Sequence, residues 1–138
     1  TNARFDAMQA AVILSKLNIF DEELNKRENT SHIYNQELKS IVKTPIAANQ
    51  VKSAWAHYTI RTKDRDGLRE FLKKNNIPTM IYYPKGMHEQ IAYQKYHNGD
   101  PLVVSEKLCG EVLSLPLHPY MSEDQVYYVS GKVREFIG

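Results

Sequence analysis

The 138-residue sequence predicts an α+β fold with a small, mostly antiparallel sheet that helices cover on one side. Segments with strand-like alternation of apolar residues are short, and segments with helical spacing separate them. A much longer helical segment, free of Pro and Gly, comes first and needs another structure to pack against. Short strands interleaved with helices, together with this leading segment, favour α+β over an all-helical or all-β fold.

The leading segment is predicted to be helical from Phe5 to about Tyr34. Asn2 lies just upstream and Asp6 lies in the expected first turn, where an acidic residue stabilises a helix. The pattern fits one long helix or two helices joined near residues 18–21. We expect residues 1–44 to be an interdomain helical segment and residues 45–138 to be the small α+β domain. The apolar positions are Phe5, Met8, Ala11, Val12, Leu14, Leu17, Ile19, Phe20, Leu24 and Ile33.

The middle of the chain predicts strand, helix and strand in succession. Residues 53–61 alternate as a strand does, and residues 77–83 resume an extended pattern around Pro78 until Pro84, Lys85 and Gly86 end it. Between them, residues 65–75 predict a helix. The apolar face of that helix holds Leu68, Phe71 and Leu72.

The C-terminal part begins with a helical or irregular stretch at residues 88–97 and a turn at residues 98–101. A helix at residues 103–109 and a short strand at residues 111–115 follow. Ser122 and Gln125 then have the form of a capping box at the start of the last helix. Its expected apolar face consists of Val126, Val129, Val133, Phe136 and Ile137.

Composition excludes several classes of function. Eighteen basic and sixteen acidic residues are scattered along the chain and leave a net charge of +2, so we expect neither nucleic-acid nor membrane-surface binding. No apolar run reaches the roughly 18 residues of a membrane-spanning helix. The single cysteine, Cys109, has no partner for an internal disulfide, and a reducing cytoplasm fits best.

Tyr82, Tyr83, Lys85, His88 and Gln90 form the densest group of potential ligand-binding residues. Aromatic, basic, imidazole and amide groups meet there where a loop follows a strand. A connector with half-buried tyrosines and a His that caps a helix explains the same residues without a ligand.

Two further segments could bind a ligand. Asn2 and Arg4 lie at the head of the first helix, where an amide, a guanidinium and free N–H groups can bind an anion such as phosphate. Two prolines hold His118 and Tyr120 in a stiff segment, for which a structural role is the simpler interpretation. The remaining histidines are isolated from one another in the sequence, and metal binding is not expected; they are His32, His57 and His97.

Four motifs, in this order, resemble the DegT/DnrJ/EryC1/StrS family of nucleotide-sugar aminotransferases. They are Asn2-x-Arg4-x-Asp6-x-x-Gln9-Ala10-Ala11, then Tyr82-Tyr83-Pro84 with His88 and Gln90, then Ser105-Glu106, and then Leu113-Ser114-Leu115-Pro116-Leu117-His118-Pro119. The resemblance implies the fold-type I architecture of aspartate aminotransferase and its pyridoxal-phosphate (PLP) cofactor. The chain would be the last third of such an enzyme, including its small C-terminal domain.

The resemblance also implies roles for single residues. Asn2 and Arg4 match residues that reach across a homodimer interface to the cofactor phosphate of the neighbouring subunit. Tyr82, Tyr83 and His88 match residues that line the sugar-nucleotide site. Relatives usually read Tyr-Tyr-Pro-x-Pro, and Gly86 at the last position predicts a more mobile loop.

The catalytic groups of the family lie upstream of this sequence. PLP transamination needs a Schiff-base lysine and an acid on the pyridine nitrogen, and neither Lys16 nor Lys85 has the setting of that lysine. We therefore expect the fragment alone to be inactive. The complete protein would move an amino group from an amino acid, such as glutamate, to a keto group of a nucleotide-linked sugar. A PLP-dependent sugar dehydratase of the same family and a non-catalytic ligand-binding module remain alternatives.

Overall fold

The computed structural model of the chain describes residues 6–138, and within them it has an α+β fold, as expected. Two antiparallel strands pair beside helices that come before, between and after them. The elements are α1 (Ala7–Leu17), α2 (Phe20–Leu38), β1 (Tyr58–Arg61), α3 (Arg65–Lys74), α4 (Val103–Glu111), β2 (Val112–Leu115) and α5 (Glu123–Ile137). Two single turns of 3₁₀ helix, Met87–Glu89 and Gln94–Tyr96, lie between α3 and α4.

The leading helical segment forms two helices rather than one. The break at Asn18 and Ile19 falls where the sequence pattern allowed a junction, and α2 continues past Tyr34 to Leu38. Asp6 is the N-cap of α1, since its carboxylate accepts a hydrogen bond from the Gln9 N–H at 2.9 Å. Asn2, expected upstream of this start, lies outside the described residues.

The sheet is smaller than the sequence predicted. Strand β1 begins only at Tyr58, because Trp55 has a φ of 46° and interrupts the extended backbone before it. Residues 77–83 do not form a strand, and only Met80 pairs with Ser114 in an isolated antiparallel bridge. Pro78 has no N–H to donate, which limits regular pairing along this segment.

The core lies where α2, α3 and α5 pack together with the sheet. Tyr58 and Ile60 on β1 and Leu113 on β2 are fully buried. The expected apolar face of α5 is confirmed, with its Ser122–Gln125 capping box formed in both directions. The other core side chains are Ile33, Tyr34, Leu38, Val42, Leu68, Leu72, Ile77, Leu115, Val126, Val129 and Val133.

Helix α1 stands apart from this core. None of its residues is buried, and its apolar side chains are exposed on more than one face. No helix within residues 6–138 is both long enough and apolar enough to cross a membrane. The exposed apolar residues of α1 include Met8, Val12, Ile13, Leu14 and Leu17.

Candidate functional site

The Tyr82–Gln90 loop leaves the sheet edge directly after the bridge between Met80 and Ser114. The two backbone hydrogen bonds of that bridge, 3.1 and 2.8 Å long, fix the start of the loop beside β2. The Tyr82 ring packs against His57, with ring centroids 4.3 Å apart, and is 38% exposed. Tyr83 is 69% exposed, so its ring is free to contact a ligand.

A groove of about 420 Å³ lies between this loop and α4. Its surface is largely apolar, and a few polar groups converge on it: two phenols, one ammonium, one amide and one hydroxyl. This mixture suits a ligand with a flat or sugar ring and several hydrogen-bonding groups. The lining residues are Tyr82, Tyr83, Lys85, Gly86, Met87, Gln90, Ser105, Leu108, Cys109 and Val112.

His88 belongs to the same loop, but its side chain does not line the groove. Its side chain is only 11% exposed, and Nε2 is 3.2 Å from Oε1 of Glu106 on α4. The ring centroids of His88 and His97 are 5.0 Å apart. The His88 side chain therefore extends from the loop to α4 and connects the two.

Gly86 provides the space that the His88 ring occupies. A methyl group on Gly86 would lie 2.5 Å from Cε1 and 2.7 Å from Nδ1 of His88. The φ of Gly86 is −63°, which any residue can adopt, and its N–H donates to Oε2 of Glu89 at 2.8 Å. A proline here, as in the usual Tyr-Tyr-Pro-x-Pro sequence, would lack this N–H. Gly86 thus has a defined packing role, which its φ alone does not require.

His118 lies in a different groove, beside the start of α5. Its Nδ1 accepts a hydrogen bond from the Tyr120 N–H at 3.2 Å, which holds the ring against the turn between β2 and α5. The Tyr120 hydroxyl donates to a Glu23 carboxylate oxygen on α2, and this hydrogen bond raises the pKa of Tyr120. These contacts give the His118 segment a structural role, as the sequence favoured.

The remaining site predictions separate into two groups. Asn2 and Arg4, the expected phosphate-binding residues, lie outside the described residues. Within residues 6–138, no three His, Cys, Asp or Glu side chains gather in a way that could hold a metal ion.

The groove by itself does not fit a PLP site. The cofactor needs an amine for its aldehyde and an acid for its pyridine nitrogen. Lys85 supplies an amine, but no carboxylate lines the groove. The geometry suits a ligand-binding wall rather than a complete catalytic centre.

The profile of the DegT/DnrJ/EryC1/StrS aminotransferase family matches residues 1–134, and the chain belongs to this family. The resemblance based on the sequence motifs is thereby confirmed.

Characterised relatives are similar over nearly the whole chain. A dTDP-3-amino-3,6-dideoxy-alpha-D-galactopyranose transaminase of Aneurinibacillus thermoaerophilus is 30% identical and covers 98% of the chain. A UDP-2-acetamido-2-deoxy-3-oxo-D-glucuronate aminotransferase of Pseudomonas aeruginosa is 36% identical and covers 87% of it. The chain spans only 37% and 33% of these two relatives.

Solved structures show the same fold. A DegT/DnrJ/EryC1/StrS aminotransferase from Brucella abortus superimposes with a TM-score of 0.94 and 44% identity, over 99% of this chain and 37% of its own. DesV from Streptomyces venezuelae, solved in complex with a ketimine intermediate, has a TM-score of 0.91 and 32% identity, over 99% of this chain and 38% of its own.

Two contacts around the loop were not foreseen from the sequence. His57 has no histidine partner in the sequence, and its ring packs on Tyr82. Glu106 belonged to a Ser-Glu motif with no assigned role, although it pairs with His88. These pairs are 25 and 18 residues apart in the chain, and no local periodicity indicates such contacts.

Proposed function

We propose that the complete polypeptide is a PLP-dependent aminotransferase that transfers an amino group from an amino acid, with glutamate as the donor, to a keto group of a nucleotide-linked sugar. The observation that carries this proposal is the family match over residues 1–134. The transaminase names of relatives at 30% and 36% identity support it. They favour amino transfer over the dehydratase and over a non-catalytic module.

In this proposal, the chain contributes the wall of the sugar-nucleotide site. Tyr83 offers an exposed ring for the base or sugar, and Tyr82 offers a second ring that His57 holds from behind. Lys85, at the same groove, is placed to attract the negatively charged diphosphate. His88 supports this wall from between the loop and α4.

The cofactor part of the proposal rests on residues outside the described range. Asn2 and Arg4 would bind the PLP phosphate of the neighbouring subunit in a homodimer, where the head of a helix and a guanidinium favour an anion. PLP supplies the electron sink that amino transfer requires. Residues 1–44 would connect the cofactor-binding domain to the small domain at residues 45–138. The single cysteine, which has no partner for an internal disulfide, fits a cytoplasmic location.

The substrate to test first is a 3-keto sugar. The sugars in the names of both relatives have an amino or a keto group at C3. One is a dTDP-sugar enzyme and the other a UDP-sugar enzyme, so both nucleotides belong in the test.

The decisive experiment uses the complete reading frame, expressed and loaded with PLP. The protein is reduced with borohydride, and peptide mass spectrometry then locates any pyridoxyl-modified residue. We expect one modified lysine upstream of Thr1, and formation of 2-oxoglutarate from glutamate in the presence of a dTDP- or UDP-linked 3-keto sugar. Bound PLP without a modified lysine would instead support the dehydratase, and failure to bind PLP would overturn both enzyme proposals.

A pair of variants tests the role of the loop in the same assay. Tyr83→Ala removes an exposed ring, and we expect KM for the nucleotide sugar to rise about tenfold because stacking and hydrogen bonding are lost. Tyr127→Ala removes a half-exposed ring on α5, and we expect no change. If Tyr83→Ala and Tyr127→Ala have the same KM for the nucleotide sugar, the loop does not belong to the substrate site.

A further inference from the structure

We propose that Glu106 is a positioning residue that holds the Tyr82–Gln90 loop at a fixed distance from α4 and so sets the width of the substrate groove. This inference rests on the function proposed above. It concerns a residue that does not itself line the groove.

Glu106 joins two parts of the molecule through one carboxylate oxygen. Its Oε1 accepts a hydrogen bond from the Leu102 N–H at 3.0 Å, which binds the side chain to the start of α4. The same oxygen is 3.2 Å from Nε2 of His88. Because the Leu102 bond restricts where Oε1 can lie, the His88 contact positions the loop relative to the helix.

The position of His88, at the other end of this hydrogen bond, is also well defined. His88 lies in a turn that the loop closes by itself, since the Glu89 N–H donates to the Gly86 carbonyl at 3.1 Å and the Gly86 N–H donates to Glu89 Oε2 at 2.8 Å. The His88 ring then lies over Gly86 with no room for a methyl group between them. The His88 ring therefore lies between Gly86 on one side and Glu106 on the other.

In the part of the chain that the structure describes, the hydrogen bond between His88 and Glu106 has no parallel between the loop and α4. Within residues 6–138, the His88–Glu106 pair is the one hydrogen bond that joins residues 82–90 to residues 102–111. Most of the groove lining comes from these two segments: Tyr82, Tyr83 and Lys85 on one side, and Ser105 and Leu108 on the other. Loss of the pair would let the loop and its tyrosines move away from α4, although the groove residues themselves are unchanged.

The test compares three variants of the complete, PLP-loaded protein. Glu106→Ala removes the acceptor. Glu106→Gln keeps an oxygen that can accept from both the Leu102 N–H and a His88 Nε2–H. Glu111→Ala removes another carboxylate from the same helix, one that pairs with Arg61 away from the loop, and serves as the matched control.

Steady-state kinetics and hydrogen exchange give separate readouts. For Glu106→Ala we expect KM for the nucleotide sugar to rise about tenfold with kcat changed by less than about twofold, since a charged hydrogen bond that orders the site is lost. We expect faster amide exchange in residues 82–90 and unchanged exchange in α5. Glu106→Gln should restore KM to within about twofold of wild type, and Glu111→Ala should leave KM unchanged.

Failure of this inference and failure of the proposed function give different results. If the wild-type protein turns over a nucleotide sugar but Glu106→Ala keeps both KM and loop exchange, the positioning role is wrong. It is also wrong if exchange rises equally in α5, because that result means general destabilisation. If the wild-type protein neither binds nor turns over any nucleotide sugar, the proposed function falls, and exchange in residues 82–90 alone decides whether Glu106 holds the loop.

Discussion

Tyr34 offers the sharpest test of how the core is held together. Its side chain is fully buried on α2, and its hydroxyl donates to the Pro116 carbonyl at 2.9 Å, across 82 residues of sequence. Its ring packs against Tyr58, with centroids 4.8 Å apart. The residue therefore connects the helical segment to the end of β2 by packing and by one hydrogen bond.

The two contributions can be separated by two substitutions. Tyr34→Phe keeps the ring but leaves the Pro116 carbonyl without its donor, and we expect it to lower the free energy of unfolding by about 1–2 kcal/mol. Tyr34→Ala also removes the ring and leaves a cavity, and we expect a loss of about 3–5 kcal/mol. Tyr127→Phe, at a half-exposed position on α5, is the control and should change stability by less than about 0.5 kcal/mol.

Urea unfolding followed by circular dichroism measures these differences, with the slope of the transition checked for each variant. The reasoning is refuted if Tyr34→Phe is as stable as wild type while Tyr34→Ala loses less than about 1 kcal/mol.

The free energy of unfolding measured against pH in the alkaline range also tests Tyr34. Burial, and to a lesser degree the neighbouring Tyr58, raises the pKa of Tyr34 above its ordinary value. A group whose folded-state pKa is raised contributes its stability below the unfolded-state pKa, near 10 for tyrosine, and loses it as pH rises. Tyr34→Phe should therefore reduce the decline in stability above about pH 10.

Three further predictions concern a helix cap, an ion pair and the loop. Ser122→Ala removes the capping box of α5 and should lower the free energy of unfolding by about 1 kcal/mol in urea unfolding, whereas a change below about 0.3 kcal/mol would contradict the capping role. The hydrogen bond from Arg61 lowers the pKa of Glu111, so its stability contribution is present above the unfolded-state pKa and is lost as pH falls. Arg61→Met should accordingly flatten the acid limb of the stability profile, and an unchanged limb would disprove the coupling. Gly86→Ala should displace the ring of His88 and speed amide exchange in residues 82–90. Gly131→Ala on α5, where the added methyl group meets nothing within 4 Å, should leave that exchange unchanged.

The helices could largely be predicted from the sequence because their signals are local. Apolar spacing placed α3 and the buried face of α5, and the Ser122–Gln125 box marked the start of α5 to the residue. The junction between α1 and α2 fell inside the range that the pattern allowed. Side chains three or four residues apart on a helix must share a face, whatever the rest of the chain does.

The sheet was harder to predict because strands depend on distant partners. Alternation over residues 53–61 and 77–83 predicts strands, yet only residues 58–61 and the single residue Met80 pair with β2. The positive φ of Trp55 and the missing N–H of Pro78 restrict pairing on these segments. Alternation shows that a segment can be extended, but the available partner decides how much of it pairs.

The sequence by itself determined the family, the helices and the loop that carries Tyr82, Tyr83 and His88, since motif order and helical spacing are properties of the chain alone. Only the tertiary structure decided that His88 turns toward Glu106, that Gly86 makes room for its ring, and that His57 backs Tyr82. The His88–Glu106 and His57–Tyr82 contacts join residues that lie far apart along the chain. Their geometry arises when the loop, α4 and the sheet edge come together, and no local pattern encodes it.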